Sequence, residues 1–144
     1  NLLVVRNPYD RLVSAFHFLQ QGGMNGIDKN FYEKELIFYK DFREFVCKWV
    51  TSKNIWKYLH FMPQYHFIRD PDGIAGMDYI GRFETLEKDF KFIANKIGCT
   101  NKLPKTNNAS YEKHSNYYDD ETRKIVGQVY ARDFEEFGYS LDSM

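Results

Sequence analysis

The sequence predicts an α/β fold in which helix outweighs strand. Three observations carry this expectation. Two short apolar runs, Leu2–Val5 and Tyr79-Ile80-Gly81-Arg82-Phe83, read as strands. Stretches with apolar side chains at helical spacing lie between and after them. The resulting order of strand, helices, strand and helix favours helices layered on a short parallel sheet.

The first run is β-branched at its end and closes on Arg6-Asn7-Pro8, as an interior strand of a parallel sheet would. Asn7 then Pro8 marks a helix start, because Asn caps the free amides and Pro has no amide hydrogen to waste. Asp10 suits the first turn. Leu12, Val13, Phe16 and Leu19 continue at helical spacing to the stop at Gly22-Gly23. Residues 22–30 read as a loop. Residues 31–61 read as two or three helices ended by Pro63, with Phe42, Phe45, Val46, Trp49 and Val50 on one face. Asp70-Pro71-Asp72-Gly73 is turn chemistry. After the second strand, Leu86, Phe90, Ile93 and Ile97 form a helical stripe that Gly98 ends. Residues 99–118 lack periodicity and read as a long loop. Asp119 and Asp120 open a last helix carrying Val126, Tyr130, Phe134 and Phe137 up to Gly138.

Length and composition narrow the function classes. A chain of 144 residues fits one domain, and 20 basic side chains balance 20 acidic ones. No global field therefore draws it onto nucleic acid or an anionic membrane, and a polyanion must find a local cluster. No apolar run is long enough to span a bilayer. With two cysteines, Cys47 and Cys99, a disulfide-stapled scaffold is excluded, while two thiols or a single bridge both stay open. The opening on Asn1-Leu2-Leu3, straight into a strand, suggests a piece of something longer.

Several familiar motifs fail on spacing. The Gly22-Gly23-Met24-Asn25-Gly26-Ile27-Asp28-Lys29 stretch follows a helix and lacks the phosphate-loop pattern. Asp70, Asp72, Gly73 and Asp78 have the glycine in the wrong place for a calcium loop. His17, His60, His66 and His114 form no zinc-binding pair.

One constellation survives. Arg6 stands at the carboxyl end of a strand, and the following helix points its positive end and free amides to the same place, so an anion would settle there. Asn7, Arg11 and Ser14 lie along one stripe running back from the helix start, where a guanidinium and a hydroxyl can close on one phosphate. The same residues equally allow a plainer arrangement, with Arg6 and Arg11 paired to Asp10 or other carboxylates.

The pattern Arg6-x-Pro8-x-x-Arg11-x-x-Ser14-x-Phe16 behind an apolar strand resembles the 3′-phosphate-binding motif of sulfotransferases that use 3′-phosphoadenosine 5′-phosphosulfate (PAPS). Three further stretches are similar to the carbohydrate, or family 2, branch: His60-Phe61-Met62-Pro63-Gln64, Tyr79-Ile80-Gly81-Arg82-Phe83-Glu84 with Asp89, and Leu103-Pro104-Lys105-Thr106-Asn107 followed by Tyr130-Ala131-Arg132-Asp133-Phe134-Glu135-Glu136-Phe137-Gly138-Tyr139. The four stand in the right order along nearly the whole chain.

The resemblance implies a P-loop-like sulfotransferase fold, incomplete here, with short parallel strands among predominant helices. Residues 1–144 would form one domain, the C-terminal part of a sulfotransferase domain. The element that cradles the 5′-phosphosulfate, and in many relatives the catalytic base, lie upstream of the matching region. By the same resemblance Arg6 and Ser14 hold the 3′-phosphate of PAPS or of its product PAP, Phe83 lies near the adenine, and Lys105, Asn107 and Ser110 complete the phosphate pocket. His60 is the best candidate here for the base that takes the acceptor's proton. The acceptor is a hydroxyl compound, expected to be a glycan, and the singly charged transferred group requires no metal. A nucleotide kinase of the P-loop superfamily and a non-catalytic helical interaction module remain the rival classes. The abundance of Lys, Asn, Ile and Phe hints at a bacterial cytoplasm; Golgi-type relatives carry a membrane anchor upstream.

Overall fold

The computed structural model describes residues 1–68, 76–103 and 113–143. The expected turn at Asp70-Pro71-Asp72-Gly73 and the loop residues Lys105, Asn107 and Ser110 lie outside the described residues.

Strand β1 (Leu2–Val5) pairs in parallel with β2 (Tyr79–Arg82), Leu2 opposite Tyr79 and Val5 opposite Arg82. Alternation along β1 decides what each side chain meets. Val5 is fully buried with Ile68 and Phe137, and Leu3 packs against the same cluster. Leu2 and Val4 are 53% and 42% exposed. The expectation of a strand buried on both faces is therefore corrected: β1 has one paired neighbour among the described residues, and one face of it is packed.

Helix α1 (Pro8–Gln20) begins where the cap signal puts it, with the Asn7 side chain accepting from the Tyr9 amide at 3.0 Å. Its apolar face supplies the centre of the main core. Phe16 stacks on Phe45, ring centroids 4.8 Å apart, and Phe45 stacks in turn on Trp49 at 5.4 Å. Each such buried ring stabilises the fold by about 2–3 kcal/mol relative to exposure. The partners come from α3 (Phe42–Trp49), whose predicted face, Phe42, Phe45, Val46 and Trp49, is buried throughout.

Between these helices the structure departs from the loop expected over residues 22–30. A short helix α2 (Gly26–Phe31) forms because the Asn25 side chain accepts from both the Ile27 and Asp28 amides, at 3.0 Å each. It runs on into a π-type turn at Tyr32–Leu36. Between α3 and β2 the described residues form tight 3₁₀ turns at Asn54–Lys57 and Gln64–Ile68, and Pro63 precedes the second.

Helix α4 (Leu86–Ile97) ends at Gly98, which takes the left-handed conformation with φ 69°. Its predicted apolar stripe is only partly covered: Leu86, Phe90 and Ile93 are half-buried and Ile97 is 72% exposed. The last predicted helix is two helices, α5 (Asp120–Val129) and α6 (Ala131–Phe137), broken at Tyr130. Val126, Tyr130, Phe134 and Phe137 are all buried nonetheless. The break lets the Tyr130 hydroxyl donate to the Phe61 carbonyl at 2.6 Å and brings Asp133 against Gln64 and Tyr65. Cys47 and Cys99 are both free thiols.

Candidate functional site at the mouth of α1

The mouth of α1 is assembled from peptide groups held by distant side chains. Gln64 clamps the Arg6 backbone in both directions: its amide oxygen accepts from the Arg6 N–H and its amide nitrogen donates to the Arg6 carbonyl, both at 2.8 Å. Glu84 accepts from the Asn7 N–H at 2.6 Å and from the Tyr139 hydroxyl at 2.8 Å. The two residues that turn the strand into the helix are thereby fixed from two sides.

The segment that carries Gln64 is itself held at almost every peptide. Tyr130 donates to the Phe61 carbonyl, and Arg11 Nη1 donates to the Met62 carbonyl at 2.8 Å. The fully buried Asp133 carboxylate accepts from the Gln64 and Tyr65 amides at 2.7 and 2.8 Å. Burial pushes the Asp133 carboxyl above its ordinary range against the pull of those amides and of Arg11. Asp89 binds β2 to α4 by accepting from the Arg82 amide, the Thr85 hydroxyl and the Tyr79 hydroxyl. The quoted motif residues Gln64, Glu84, Asp89, Asp133 and Tyr139 thus act on the frame of the site.

On that frame Arg6 Nη1 donates to Ser14 Oγ at 3.3 Å, and the Arg6 guanidinium lies over the Phe83 ring, 4.0 Å from its centroid. Arg6 Nε also pairs with Asp10, so the carboxylate pairing that the sequence allowed is present beside the contact with Ser14. Asp10 receives His114 Nδ1 at 3.5 Å as well. Burial raises the Asp10 carboxyl, but the His114 and Arg6 contacts outweigh it and hold the group below the ordinary range.

Arg6, Arg11, Ser14 and His60 line one cavity of about 500 Å³. Phe18, Met24, Leu59 and Phe67 make its apolar wall. Asn7 is not among these residues, because its side chain is engaged as the helix cap and donates to Ser143 Oγ at 2.8 Å. Phe83, 42% exposed, lines a separate cavity with Glu84, Thr85 and Lys88. Burial lowers the Arg11 pKa, yet a guanidinium remains charged at any physiological pH. His60 is held below its ordinary range by burial first, with the Arg11 charge acting in the same direction and Asp28 opposing both. Near neutral pH it is an uncharged imidazole able to accept a proton.

The sequence reading includes Asp28 only within the glycine-rich stretch 22–29 that fails as a phosphate loop, and gives it no role of its own. Its carboxylate lies 3.6 Å from His60 Nε2. The Asn25-x-x-Asp28 spacing, suited to a helix cap, is the signal that marks it. Among the described residues no group of histidines, cysteines and carboxylates is arranged to hold a metal ion, and no helix is long and apolar enough to cross a membrane.

Two guanidinium groups and a hydroxyl meet on the wall of this cavity, an arrangement able to receive an anionic oxygen group. No curated protein and no solved structure matches the chain. The sequence model of the Sulfotransferase family matches residues 1–140. Since that span takes in both strands, the helices from α1 to α6 and the residues that line the cavity, the chain belongs to the sulfotransferase family, in its family 2 branch.

Proposed function

We propose that the chain acts in the transfer of a sulfuryl group from PAPS to a hydroxyl acceptor of carbohydrate type, and that it supplies the half of the site that binds the 3′-phosphate. The observation that carries this reading is the approach of Arg6 Nη1, just before α1, to Ser14 Oγ in its second turn. A phosphate monoester there takes hydrogen bonds from a guanidinium and a hydroxyl, and Arg11 adds charge from the same cavity wall. Phe83, beside Arg6, offers an exposed aromatic surface to the adenine. Lys105, Asn107 and Ser110 complete the pocket from the following loop in this reading.

PAPS, when bound, supplies a sulfuryl group activated by its link to the 5′-phosphate. His60 accepts the proton of the acceptor hydroxyl as that oxygen bonds to sulfur and the bond from sulfur to the bridging phosphate oxygen breaks. The products are the sulfate ester and PAP, and the proton rests on the imidazole. Arg6 and Ser14 hold the nucleotide at its ribose end, away from the reacting sulfur. The task is positioning and charge stabilisation, which these residues perform without a metal.

Titration calorimetry of the full-length protein tests the reading. PAP binds in preference to ATP, and Arg6→Ala weakens PAP by about 1.5 kcal/mol or more, the loss of a charged hydrogen bond. His60→Ala lowers turnover while leaving PAP affinity unchanged. Preference for ATP, or PAP affinity indifferent to Arg6, overturns it.

A further inference from the structure

The Gly22–Asp28 stretch is not used in the reading above, yet it is tightly built. Asp28 is 4% exposed and accepts from the Met24 amide at 2.8 Å and from the Tyr58 hydroxyl. Tyr58 is locked in turn by Phe31, three positions after Asp28 on α2, the two rings stacked with centroids 4.1 Å apart. Gly23 makes room for the carboxylate: it adopts φ +64°, and a Cβ there would stand 2.2 Å from Asp28 Cβ. The helix is already capped by the Asn25 side chain, and that cap does not require a buried carboxylate that also faces an imidazole on the wall of a cavity.

We propose that Asp28 is the positioning residue of His60: its carboxylate holds the Nε2 edge of the imidazole, so that Nε2 keeps the proton and Nδ1 is the accepting nitrogen. Nε2 lies 3.6 Å from Asp28 Oδ1, too long for a hydrogen bond but close for a charge acting on the ring. The ring is steadied by Phe18, 5.1 Å between centroids, and by Tyr58 at 5.5 Å. When Nδ1 takes the acceptor's proton, the imidazolium faces a carboxylate that the tyrosine and the Met24 amide keep ionised; the Asp28 carboxyl lies below its ordinary range, the Tyr58 contact contributing most. The charged and titratable groups around His60 are Asp28 from α2, Arg11 from α1, Tyr58 from its own segment and, on the wall of the same cavity, Arg6. The role given to the proton rests on His60 being the base proposed above, whereas the coupling of Asp28 to His60 does not.

Long-range proton–nitrogen spectra of the full-length protein labelled with ¹⁵N-histidine, with His60 assigned from His60→Gln, test this directly. Neutral His60 is expected as the Nε2–H tautomer. Asp28→Asn lowers its pKa by roughly half a pH unit or more, because the stabilising charge is gone. Tyr58→Phe moves it the other way, because the carboxylate loses a donor and acts more strongly on the ring. Opposite shifts are not produced by general loosening, and Tyr58→Phe serves alone if Asp28→Asn fails to fold. An Nδ1–H tautomer, or variants that leave the pKa unmoved or shift it in the same direction, overturns the proposal. PAP added to the same samples separates the two readings. Bound PAP with an uncoupled His60 refutes the role of Asp28 alone; failure of the wild type to bind PAP refutes the nucleotide site, while the coupling is still measured.

Discussion

Replacing Asp133 by alanine tests how the site is held. The carboxylate is fully buried and accepts the Gln64 and Tyr65 amides, and Gln64 in turn grips both backbone groups of Arg6. Asp133→Ala leaves the buried Gln64 N–H and the partly buried Tyr65 N–H without acceptors, at up to about 1–3 kcal/mol each, and removes a negative charge near Arg11. Water entering the space of the lost carboxylate returns part of this, so the net destabilisation is about 3–5 kcal/mol, the range for breaking a buried charged contact. With a urea m-value of about 2 kcal/mol/M, the midpoint falls by roughly 2 M. Asp133→Asn keeps one acceptor and turns an NH₂ group toward the other amide, so it loses about half as much. Urea unfolding followed by fluorescence gives both numbers. PAP affinity under native conditions falls in both variants, because Arg6 is displaced through Gln64. An Asp133→Ala cost below about 1 kcal/mol, or PAP affinity left intact, refutes the chain of support from Asp133 through Gln64 to Arg6.

Two further substitutions probe the frame. Asp119 caps α5 and pairs with Arg43; the Thr122 amide first, then Arg43, pull its carboxyl from 3.8 to about 2. A carboxyl lowered on folding contributes stability above the unfolded pKa and loses it as pH falls through the folded one. Asp119→Ala therefore costs about 1 kcal/mol near neutral pH, and its difference from wild type shrinks between pH 4 and pH 2 in acid unfolding curves. A difference constant with pH contradicts this. Gly23→Ala places a Cβ against Asp28 at a left-handed φ and costs about 2 kcal/mol or more by chemical denaturation; a neutral outcome shows that the turn relaxes without disturbing Asp28.

The sequence was most legible where local chemistry decides structure. Asn7-Pro8 marked the start of α1 because a cap and a missing amide hydrogen act within one turn, and Gly98 and Gly138 marked helix ends because their left-handed conformation suits few other residues. The approach of Arg6 to Ser14 follows from the same local geometry. Long-range contacts were hidden. Gln64 and Glu84 read as parts of a resemblance, but their task is to bind backbone 58 and 77 positions away. Asn7 read as a ligand because it shares a stripe with Arg11 and Ser14, whereas capping and Ser143 engage its side chain. The break at Tyr130 has no glycine or proline to announce it; it accompanies a hydroxyl bonded to Phe61 and a carboxylate bonded to Gln64. The helical stripe of α4 was legible as a pattern, but periodicity does not say whether a neighbour covers it, and Ile97 is largely exposed.

The claim that Arg6 and Ser14 grip a 3′-phosphate is tested most directly by two ligands that differ only in that group, PAP and adenosine 5′-monophosphate. Calorimetry with the full-length wild type should show PAP bound about tenfold or more tighter, and Arg6→Ala or Ser14→Ala should bring the two affinities close together by weakening PAP alone. Equal binding of the two nucleotides by the wild type, or a preference for PAP that survives both substitutions, would contradict it.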